Sequence, residues 1–500
     1  MINKKLGIFS TSFMGISAII GSGWLFSPLL AANISGPAAL FAWMIGAFIV
    51  LVLGLCFSEI ASIYPLRGLS AIITTISHNR FFGFPFAIAN WLGIVAVIAL
   101  EADAAVQYLI NIFPQFTNLL FLNNHLTIYG NILSAILVLF FSAINFLGVS
   151  LLAKTNNIIT VIKLFIPIMV IVILGYTVFH KDNFTAVNNT IMPYGFSSVI
   201  KTILIAGIIV SFNGFQSIIS FSSEIKNPSK TIPISISISI VVCLIIYLLI
   251  QTVFIGALPT NMIHNGWHSL SMAAPMIDLL SMIGLGFLSI IIYVGSTATP
   301  VGTAINFTGA SSRMFTAMSR EGQVPRYFDD VHPKYKVSRK SLIFNTIIAM
   351  SFIFLFKSWK NLAEVLSIFH ILSYLTVPLA MIVFRREKSK SEYGFYMPFG
   401  IFICYALFAV FNYLIGFSSV YIVFYSSIVV VIFEVIFILL NIKSNLEEIK
   451  THIFSAIILI IYILLLPVIS YLNKILPDFQ FVIFIVIFSS FFLYIMTKSE

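Results

Sequence analysis

Apolar residues follow one another along most of this chain, and polar residues collect in short stretches between them. A helix that crosses a bilayer needs roughly 20 apolar residues in a row, and windows of that length predict fourteen spans. The predicted spans are residues 8–32, 37–63, 84–112, 127–149, 156–179, 197–221, 232–256, 281–309, 341–356, 363–384, 397–416, 420–441, 453–472 and 478–496. A transmembrane β-barrel would show short alternating segments instead. The pattern therefore predicts an all-α polytopic membrane protein.

The first run has some features of a signal peptide. Lys4 and Lys5 precede it, and Leu30-Ala31-Ala32 resembles a cleavage site. Its apolar stretch is about 25 residues long, whereas the core of a signal peptide has about 7–15. We therefore expect the run to remain in the protein as its first span.

Composition agrees with the pattern of spans. Hydrophobic residues make up 60% of the 500 positions and charged residues 9%, whereas a soluble protein has about a quarter charged residues. This balance excludes a soluble enzyme, a nucleic-acid binder and a disordered scaffold. Three cysteines, Cys56, Cys243 and Cys404, lie inside apolar runs and form no C-x-x-C pair. We expect no metal site and no cofactor.

Basic residues predict the orientation of the chain. If the N-terminus is inside, 21 of the 27 Lys and Arg residues lie in inside loops, 5 lie outside, and Lys163 lies within a span. Inside loops carry an excess of positive charge, so both termini are predicted to be cytoplasmic and the protein to reside in the cell (inner or plasma) membrane. The net charge of +10 then needs no nucleic acid as partner. The longest polar stretch, residues 311–340, is expected to be a cytoplasmic loop at the anionic lipid surface.

Two predicted spans are interrupted by small and polar residues. Span 1 has a break at residues 20–24 (Ile-Gly-Ser-Gly-Trp), and span 6 has a similar break at residues 212–216 (Phe-Asn-Gly-Phe-Gln). Small residues also let membrane helices pack closely, which is the alternative interpretation of each break alone. Spans 1 and 6 enter from opposite sides, and interrupted segments at corresponding positions of two inverted halves indicate a transporter binding site. The matched pair therefore favours a site.

The breaks also suggest how the chain is organised. A first half with spans 1–5 would occupy residues 1–180, and a second half with spans 6–10 would occupy residues 197–385. Four further C-terminal spans would occupy residues 397–497.

Four stretches are similar to motifs of the amino acid–polyamine–organocation superfamily. Gly21-Ser22-Gly23 resembles its substrate-binding break, and residues 59–65 resemble the end of its second helix. Residues 224–233 and 312–325 resemble the loops after its helices 6 and 8. The resemblance covers residues 6–440 and is nearest to the bacterial permease branch that includes aspartate–proton symporters. It departs at Arg67-Gly68-Leu69, where the family usually has two adjacent glycines, and in having two helices more than the usual twelve.

The resemblance implies a leucine-transporter-like 5+5 inverted repeat with broken helices 1 and 6, followed by four C-terminal helices. A half-helix N-terminus offers free N–H groups and a partial positive charge. The N–H groups around Gly21, Ser22 and Gly23 can therefore take the carboxylate of an amino acid, with the Ser22 hydroxyl as a further donor. Carbonyl groups near Phe212 and Asn213 can take the ammonium. The expected substrate-binding residues are Ile20, Gly21, Ser22, Gly23, Trp24, Phe212, Asn213, Gly214 and Phe215.

Three aromatic residues of this set have two interpretations. Trp24, Phe212 and Phe215 are candidates to wall or gate the side-chain pocket, and plain packing is the alternative.

Lys163 is the basic residue well inside a span, where a charge is costly and indicates a functional candidate. It could instead extend to the cytoplasmic surface. The resemblance favours a coupling role, because proton-coupled members place a lysine of helix 5 against the break of helix 1, where sodium-coupled relatives bind a cation. Burial favours the neutral form of a lysine, so the group could release and regain a proton.

Other polar residues within spans are pathway candidates. Glu101 and Asp103 point about 200° apart on span 3, so at most one is expected to face the central path; a vestibule carboxylate or an Asp103–Gln107 pair is the alternative. His370 is a candidate gate or proton group, or a satisfied hydrogen-bond partner. Thr299 could line the cation region or bond to backbone.

The leading functional prediction is a secondary active amino-acid transporter, with proton-coupled uptake by alternating access. Its partners would be an amino-acid substrate, protons and the lipid bilayer. An exchanger of an amino acid for its amine product is the alternative, and a membrane-embedded enzyme is a distant one. Against an enzyme, the sequence has no H-E-x-x-H and no Cys/His cluster. Against a channel, it has no filter loop or ring of charge, and against ATP-driven transport it has no P-loop motif.

Overall fold

Backbone groups in the hydrocarbon core of a membrane must hydrogen-bond within the protein, so long apolar runs fold as helices. The computed structural model describes residues 6–66, 68–110, 113–122, 125–147, 149–286, 289–335, 337–356, 358–441 and 446–498. Within these ranges a helix lies over each of the fourteen predicted runs. Lys4, Lys5 and Arg67, which the sequence analysis used, lie outside the described residues.

The α-helices are numbered in chain order. They are α1 (Ile8–Ile19), α2 (Gly23–Ser35), α3 (Ala39–Ile63), α4 (Leu69–Ser77), α5 (Arg80–Ile110), α6 (Thr117–Leu120), α7 (Ile128–Phe146), α8 (Val149–Thr177), α9 (Gly195–Ile205), α10 (Ile208–Ser211), α11 (Gln216–Ser220), α12 (Pro228–Ala257), α13 (Pro275–Met282), α14 (Ser289–Arg320), α15 (Arg339–Leu355), α16 (Trp359–Tyr374), α17 (Thr376–Glu387), α18 (Gly400–Gly416), α19 (Val420–Asn441), α20 (Leu446–Leu472) and α21 (Asp478–Met496).

Other elements are short. Two antiparallel strands, β1 (Phe121–Leu122) and β2 (His125–Leu126), form a small hairpin. Single 3₁₀ turns lie at Gly36–Ala38, Pro114–Phe116, Lys181–Thr185, Ser222–Glu224, Thr260–Ile263, Trp267–Ser269, Arg326–Asp329 and Lys390–Glu392.

Nine helical segments of the described ranges are long and apolar enough to cross a membrane, judged by length and composition. The apolar helices α1, α9 and α18 are shorter. Two of these short helices, α1 and α9, belong to the broken spans, where each break divides one apolar run into pieces. The protein is therefore a mostly α-helical, multi-pass membrane protein.

Helix α5 lies at the centre of the described structure, and almost all of its apolar window is buried. It packs against α14, α16 and α7. A helix that is apolar all round and carries two carboxylates, Glu101 and Asp103, must place both against other helices. This central position puts the two carboxylates at different interfaces, as described below.

A buried ion pair joins three helices at the end of the molecule that carries residue 321, which is called the inner end here. Arg385 of α17 donates from Nε to Glu59 of α3 at 2.6 Å and from Nη2 to the second carboxylate oxygen at 2.7 Å. The same Nη2 donates to the carbonyl of Met397, whose N–H donates to Glu59. A buried pair with these added hydrogen bonds has both charges compensated, so Glu59 and Arg385 fix the start of α18 against α3 and α17.

A second buried carboxylate ties the C-terminal helices to the rest. Glu364 of α16 accepts a hydrogen bond from the Ser418 hydroxyl at 2.5 Å and from the Ser419 N–H at 2.6 Å, just before α19 begins. An acidic group at a helix N-terminus accepts hydrogen bonds from free N–H groups and interacts favourably with the helix dipole. Between the C-terminal helices themselves, Asn412 accepts from the Tyr462 hydroxyl at 2.7 Å.

The structure differs from the sequence prediction over residues 311–320. These residues were predicted to begin a loop, and they form the last turns of α14 with Ser311, Ser312 and Phe315 buried. The reason is that hydroxyl groups bond back to the helix, as the Thr316 hydroxyl does to the carbonyl of Ser312 at 2.8 Å, so that a polar sequence can stay helical in a buried interface. Helix α4 was not predicted because its nine residues are too few for a span-length window.

Candidate functional site

The break in the first span leaves a free amide, and a buried carboxylate satisfies it. Helix α1 ends at Ile19 and α2 begins at Gly23. The N–H of Ser22 donates to both oxygens of Glu101, at 3.0 and 3.1 Å. Glu101 is buried on α5. Its carboxylate therefore lies at the N-terminus of α2, where unpaired N–H groups and the helix dipole favour an anion.

The Ser22 side chain has its own partner on a different helix. The indole Nε1 of Trp359 donates to the Ser22 hydroxyl oxygen at 3.0 Å, and the indole ring stacks on Phe26 of α2 with ring centroids 5.0 Å apart. Trp359 is the first residue of α16, where Ser358 caps the helix through the N–H of Asn361. In the sequence Trp359 lies in a polar connection between two predicted spans, and it is not among the predicted site residues.

Glycine is required at the first break because other groups approach its backbone closely. A Cβ at Gly21 would lie 2.5 Å from a Glu101 oxygen, and a Cβ at Gly23 would collide with the Ser211 hydroxyl of α10. The second break has the same property, since Gly214 has a φ of +118° and a Cβ there would lie 2.5 Å from the carbonyl oxygen of Ala18. The two breaks therefore face each other at backbone distance.

Helix α12 holds the two breaks together. The Tyr247 hydroxyl lies 2.8 Å from the carbonyl oxygen of Ser211 and 3.3 Å from that of Ile19. These carbonyls belong to the last residues of α10 and α1, where helices leave acceptors without an internal partner.

The second break contains a network of side chains. The amide of Asn213 lies 2.9 Å from Nε2 of His370, and Nδ1 of His370 lies 2.9 Å from the carbonyl of Leu366. Since a carbonyl can only accept, Nδ1 carries the proton and Nε2 accepts from Asn213. Gln216 donates to the Asn213 oxygen at 2.9 Å and to the Tyr374 hydroxyl at 2.7 Å. His370 is thus a fully bonded partner of the break.

Lys163 is buried and directed toward the first break. Its Nζ donates to the Thr303 hydroxyl at 2.6 Å and lies 3.4 Å from the carbonyl oxygen of Ser17. Thr303 in turn donates to the carbonyl of Thr299 at 3.0 Å. The Thr299 hydroxyl bonds to the carbonyl of Gly295 in its own helix. The Thr299 hydroxyl thus bonds to the backbone, whereas the Thr303 hydroxyl contacts the ammonium of Lys163.

Asp103 faces away from the breaks. It is fully buried beside Ser134 of α7, and among the described residues neither of its oxygens bonds to Gln107. Gln107 lines a cavity at the outer end instead. Glu101 is therefore the carboxylate of α5 that reaches the central site, in agreement with the angle between the two positions.

The predicted aromatic walls lie in packed surroundings. Phe212 packs on Trp43 and Tyr247, with centroids 6.0 and 5.3 Å apart, and Phe215 packs on Phe57 at 6.0 Å. Ile20, Trp24, Phe212 and Phe215 are all buried and are not among the residues that line the central cavity.

A central cavity of about 20 Å³ lies between the breaks. Its lining combines polar groups with apolar walls: Gly21, Gly23, Glu101, Ser211, Asn213, Thr303 and Trp359, with Ala18, Ile19, Val97, Leu100, Val210 and Phe307. This volume is about enough for one water molecule, so the site is closed. An inner cavity of about 460 Å³ shares Ala18, Asn213, Thr303 and Phe307 with it, and an outer cavity of about 420 Å³ shares Trp359.

The chemistry of this arrangement is that of binding. Backbone groups of the two breaks, hydroxyls and the Glu101 carboxylate surround one small cavity, and Lys163 lines the inner cavity beside it. Among the described residues no group of three or more His, Cys, Asp and Glu side chains is placed to hold a metal ion.

Comparison with known proteins gives consistent results. A family model described as amino acid permease matches residues 6–433. The chain is 38% identical to the glutamate/serine transporter AimA of Bacillus subtilis, over 77% of this chain and 72% of the relative. It is 30% identical to the aspartate-proton symporter of the same organism, over 79% of this chain and 75% of the relative. The serine/threonine exchanger SteT, also from B. subtilis, is 26% identical over 78% of this chain and 85% of the relative. These relatives support a transporter and include both a symporter and an exchanger.

Replacement of Gly23 by Val tests whether the breaks form a binding site. The β-branched side chain would collide with Ser211 and would separate the two breaks. We expect Gly23→Val to lower amino-acid affinity by at least about tenfold, which corresponds to 1.4 kcal/mol, while folded protein remains in the membrane. Equilibrium binding of a panel of labelled amino acids to purified protein measures this.

Gly7→Val is the matched control, because a Cβ at Gly7 meets no atom within 4 Å. Unchanged affinity in Gly23→Val would place the substrate elsewhere.

Proposed function

Because this chain belongs to the amino acid permease family, we propose that it is a secondary active amino-acid transporter that couples uptake to protons by alternating access. The family match confirms the resemblance of the sequence motifs to the amino acid–polyamine–organocation superfamily. The proposed architecture is a 5+5 inverted repeat over residues 1–180 and 197–385 followed by helices in 397–497, with fourteen crossings and both termini cytoplasmic. The charge bias of the loops supports that orientation.

One contact supports this function above the others: the Glu101 carboxylate on the Ser22 N–H. An amino-acid substrate brings a carboxylate of the same chemistry, and the N-terminus of α2 is the place that favours it. Glu101 thus holds, in the closed protein, the position proposed for the substrate carboxylate.

Competition for that position would link the substrate to a proton. Two carboxylates at one buried site repel each other unless one of them is protonated. A substrate carboxylate that binds at Ser22 therefore favours uptake of a proton by Glu101, or its movement away from α2. Protonation changes the charge carried by α5, whereas movement changes only where that charge lies.

The ammonium of the substrate has acceptors at the ends of α1 and α10. The carbonyls of Ile19 and Ser211 accept from Tyr247, and the residues that carry them line the central cavity. Ser211 and Asn213 add a hydroxyl and an amide to the same wall. We propose that these groups surround the ammonium and the start of the side chain.

Lys163 supplies a second group that can exchange a proton. Its ammonium holds α8 to Ser17 of α1 and Thr303 of α14. Deprotonation would remove the charge that favours these contacts, so that α1 and α8 could separate and the inner cavity could join the central one. The protons on Glu101 and Lys163 would then shift the population between closed and inward-open states.

Exchange is the second candidate, and the similarity to a serine/threonine exchanger favours it. An exchanger uses the same closed site, but its empty form does not change between the inward-open and outward-open states, so the site must carry a substrate in both directions. Reconstituted protein separates the two functions.

A substrate panel in proteoliposomes tests the proposed function directly. With an inside-alkaline gradient, sodium-free buffer and no internal amino acid, we expect the wild-type protein to accumulate at least one of serine, threonine, aspartate and glutamate. Accumulation should stop when a protonophore collapses the gradient. Uptake that depends only on internal amino acid would establish exchange, and no uptake or exchange of any amino acid would contradict the proposal.

Glu101→Gln tests the proton on the competing carboxylate. Glutamine keeps an oxygen for the Ser22 N–H but has the charge of a protonated glutamate. We expect substrate binding to persist and gradient-driven accumulation to fall by about tenfold or more, because a coupling step of 1.4 kcal/mol or more is lost. Asp103→Asn is the matched control in the same helix, since Asp103 faces α7, and it should keep its coupling. Normal accumulation by Glu101→Gln would exclude Glu101 from coupling.

Lys163→Arg tests the proton on the lysine. Arginine keeps the positive charge but does not release a proton at neutral pH. We expect Lys163→Arg and Lys163→Ala both to lose gradient-driven accumulation, while exchange in the absence of a gradient is retained in at least one of them. The pH dependence of uptake and exchange, measured side by side, checks this. Proton-driven uptake by Lys163→Arg at the wild-type rate would show that Lys163 acts only through its charge.

A further inference from the structure

Trp359, the first residue of α16, lies between two cavities of the molecule. Of the described lining residues, it alone belongs to both the central cavity and the outer cavity. Its side chain is buried, with an exposed fraction of 3%. A residue in this position closes the route between the two spaces.

The indole contacts both broken spans at once. Its Nε1 bonds to Ser22 at the first break, and its ring stacks on Phe26 one turn further along α2. At the other side, a Cβ on Gly207 would lie 3.2 Å from Cη2 of Trp359, so the ring tip reaches the backbone where α9 passes into α10. The first turn of α16 is thereby attached to both broken spans through one side chain.

The hydrogen bond to Ser22 also determines what that hydroxyl can do. A hydroxyl has one hydrogen and two acceptor positions, whereas an indole N–H can only donate. When Trp359 fills an acceptor position, the Ser22 hydrogen remains available for another acceptor. A carboxylate at the N-terminus of α2 is such an acceptor, so Trp359 would orient Ser22 as a donor.

We propose that Trp359 is the outer lid of the central cavity and a positioning residue for Ser22. In the closed state its indole bonds to Ser22 and covers the cavity; opening toward the outer cavity breaks this bond and moves the first turn of α16 away from α2. The positioning part rests on the proposed function, because it assigns the carboxylate of an amino acid as the ligand. The lid itself does not depend on the identity of the substrate.

Sided cysteine labelling tests the lid without any substrate. Cys56, Cys243 and Cys404, all buried, are replaced, and Val97, which lines the central cavity, is changed to cysteine. A membrane-impermeant thiol reagent added outside intact cells then reports opening. We expect labelling about fivefold faster in Trp359→Phe than with Trp359 present, the factor that corresponds to one hydrogen bond of ordinary strength, and faster again in Trp359→Ala.

Equal labelling rates with Trp, Phe and Ala at position 359 would overturn the lid. If the Ala variant does not fold, the Phe variant decides alone, since it keeps the ring. Trp91→Phe is the matched control, because Trp91 also loses a buried indole bond, to Asn345 at 2.6 Å, but lines none of the described cavities. It should leave the labelling rate unchanged.

A double-mutant cycle tests the positioning of Ser22. We expect Trp359→Phe and Ser22→Ala each to raise the KM for the transported amino acid by about fivefold, with a smaller effect on the maximal rate. The double variant should be no worse than Ser22→Ala, because the indole acts through that hydroxyl. Additive effects would overturn the positioning role. If the wild-type protein transports no amino acid, the proposed function fails, while the labelling rates still decide the lid.

Discussion

An amide hydrogen without a helical partner is costly inside a membrane protein, and the N–H of Ser22 is such a group. The structure satisfies it with a carboxylate from another helix. This single requirement explains much of what surrounds it. Gly21 must lack a side chain for Glu101 to approach, and the carboxylate must lie on a helix as deeply buried as α5 to reach the break. The charge brought in this way is then stabilised by the dipole of α2.

Around this contact the structure is arranged in two kinds of interface. The breaks meet through backbone atoms and small residues, as Gly214 meets Ala18 and Gly23 meets Ser211. The inner pair of Glu59 and Arg385, and the cap that Glu364 provides to α19, are bidentate or doubly bonded and buried. Such contacts are expensive to break one partner at a time.

Sequence reasoning was sufficient for features that depend on local composition. Long apolar runs predicted where the helices lie, and glycines in matched spans predicted both breaks. Lys163 stood out because a charge in an apolar run needs a partner.

Features that depend on how helices rotate and pack could not be predicted from the sequence. The residues next to Glu101 and Asp103 in the sequence are equally apolar. Only the packing of α5 places Glu101 at the break and Asp103 against α7. Trp359 lies in a polar connection between two predicted spans, where an aromatic residue is typical of the membrane interface. Trp24 and Phe212 lie at the breaks in sequence, yet their side chains point into packed aromatic or aliphatic surroundings.

The Tyr247 hydroxyl has one hydrogen and two carbonyl neighbours, one at the end of each broken half-helix. It can donate fully to only one of them at a time. The shorter distance is to Ser211, so in this state the second span holds the larger share of the bond. A displacement that brings Ile19 nearer would draw the hydrogen toward the first span and leave Ser211 with a weaker donor. The two halves of the molecule thus compete for one hydrogen. A stronger hydrogen bond at one break means a weaker one at the other, even where no side chains of the two halves collide.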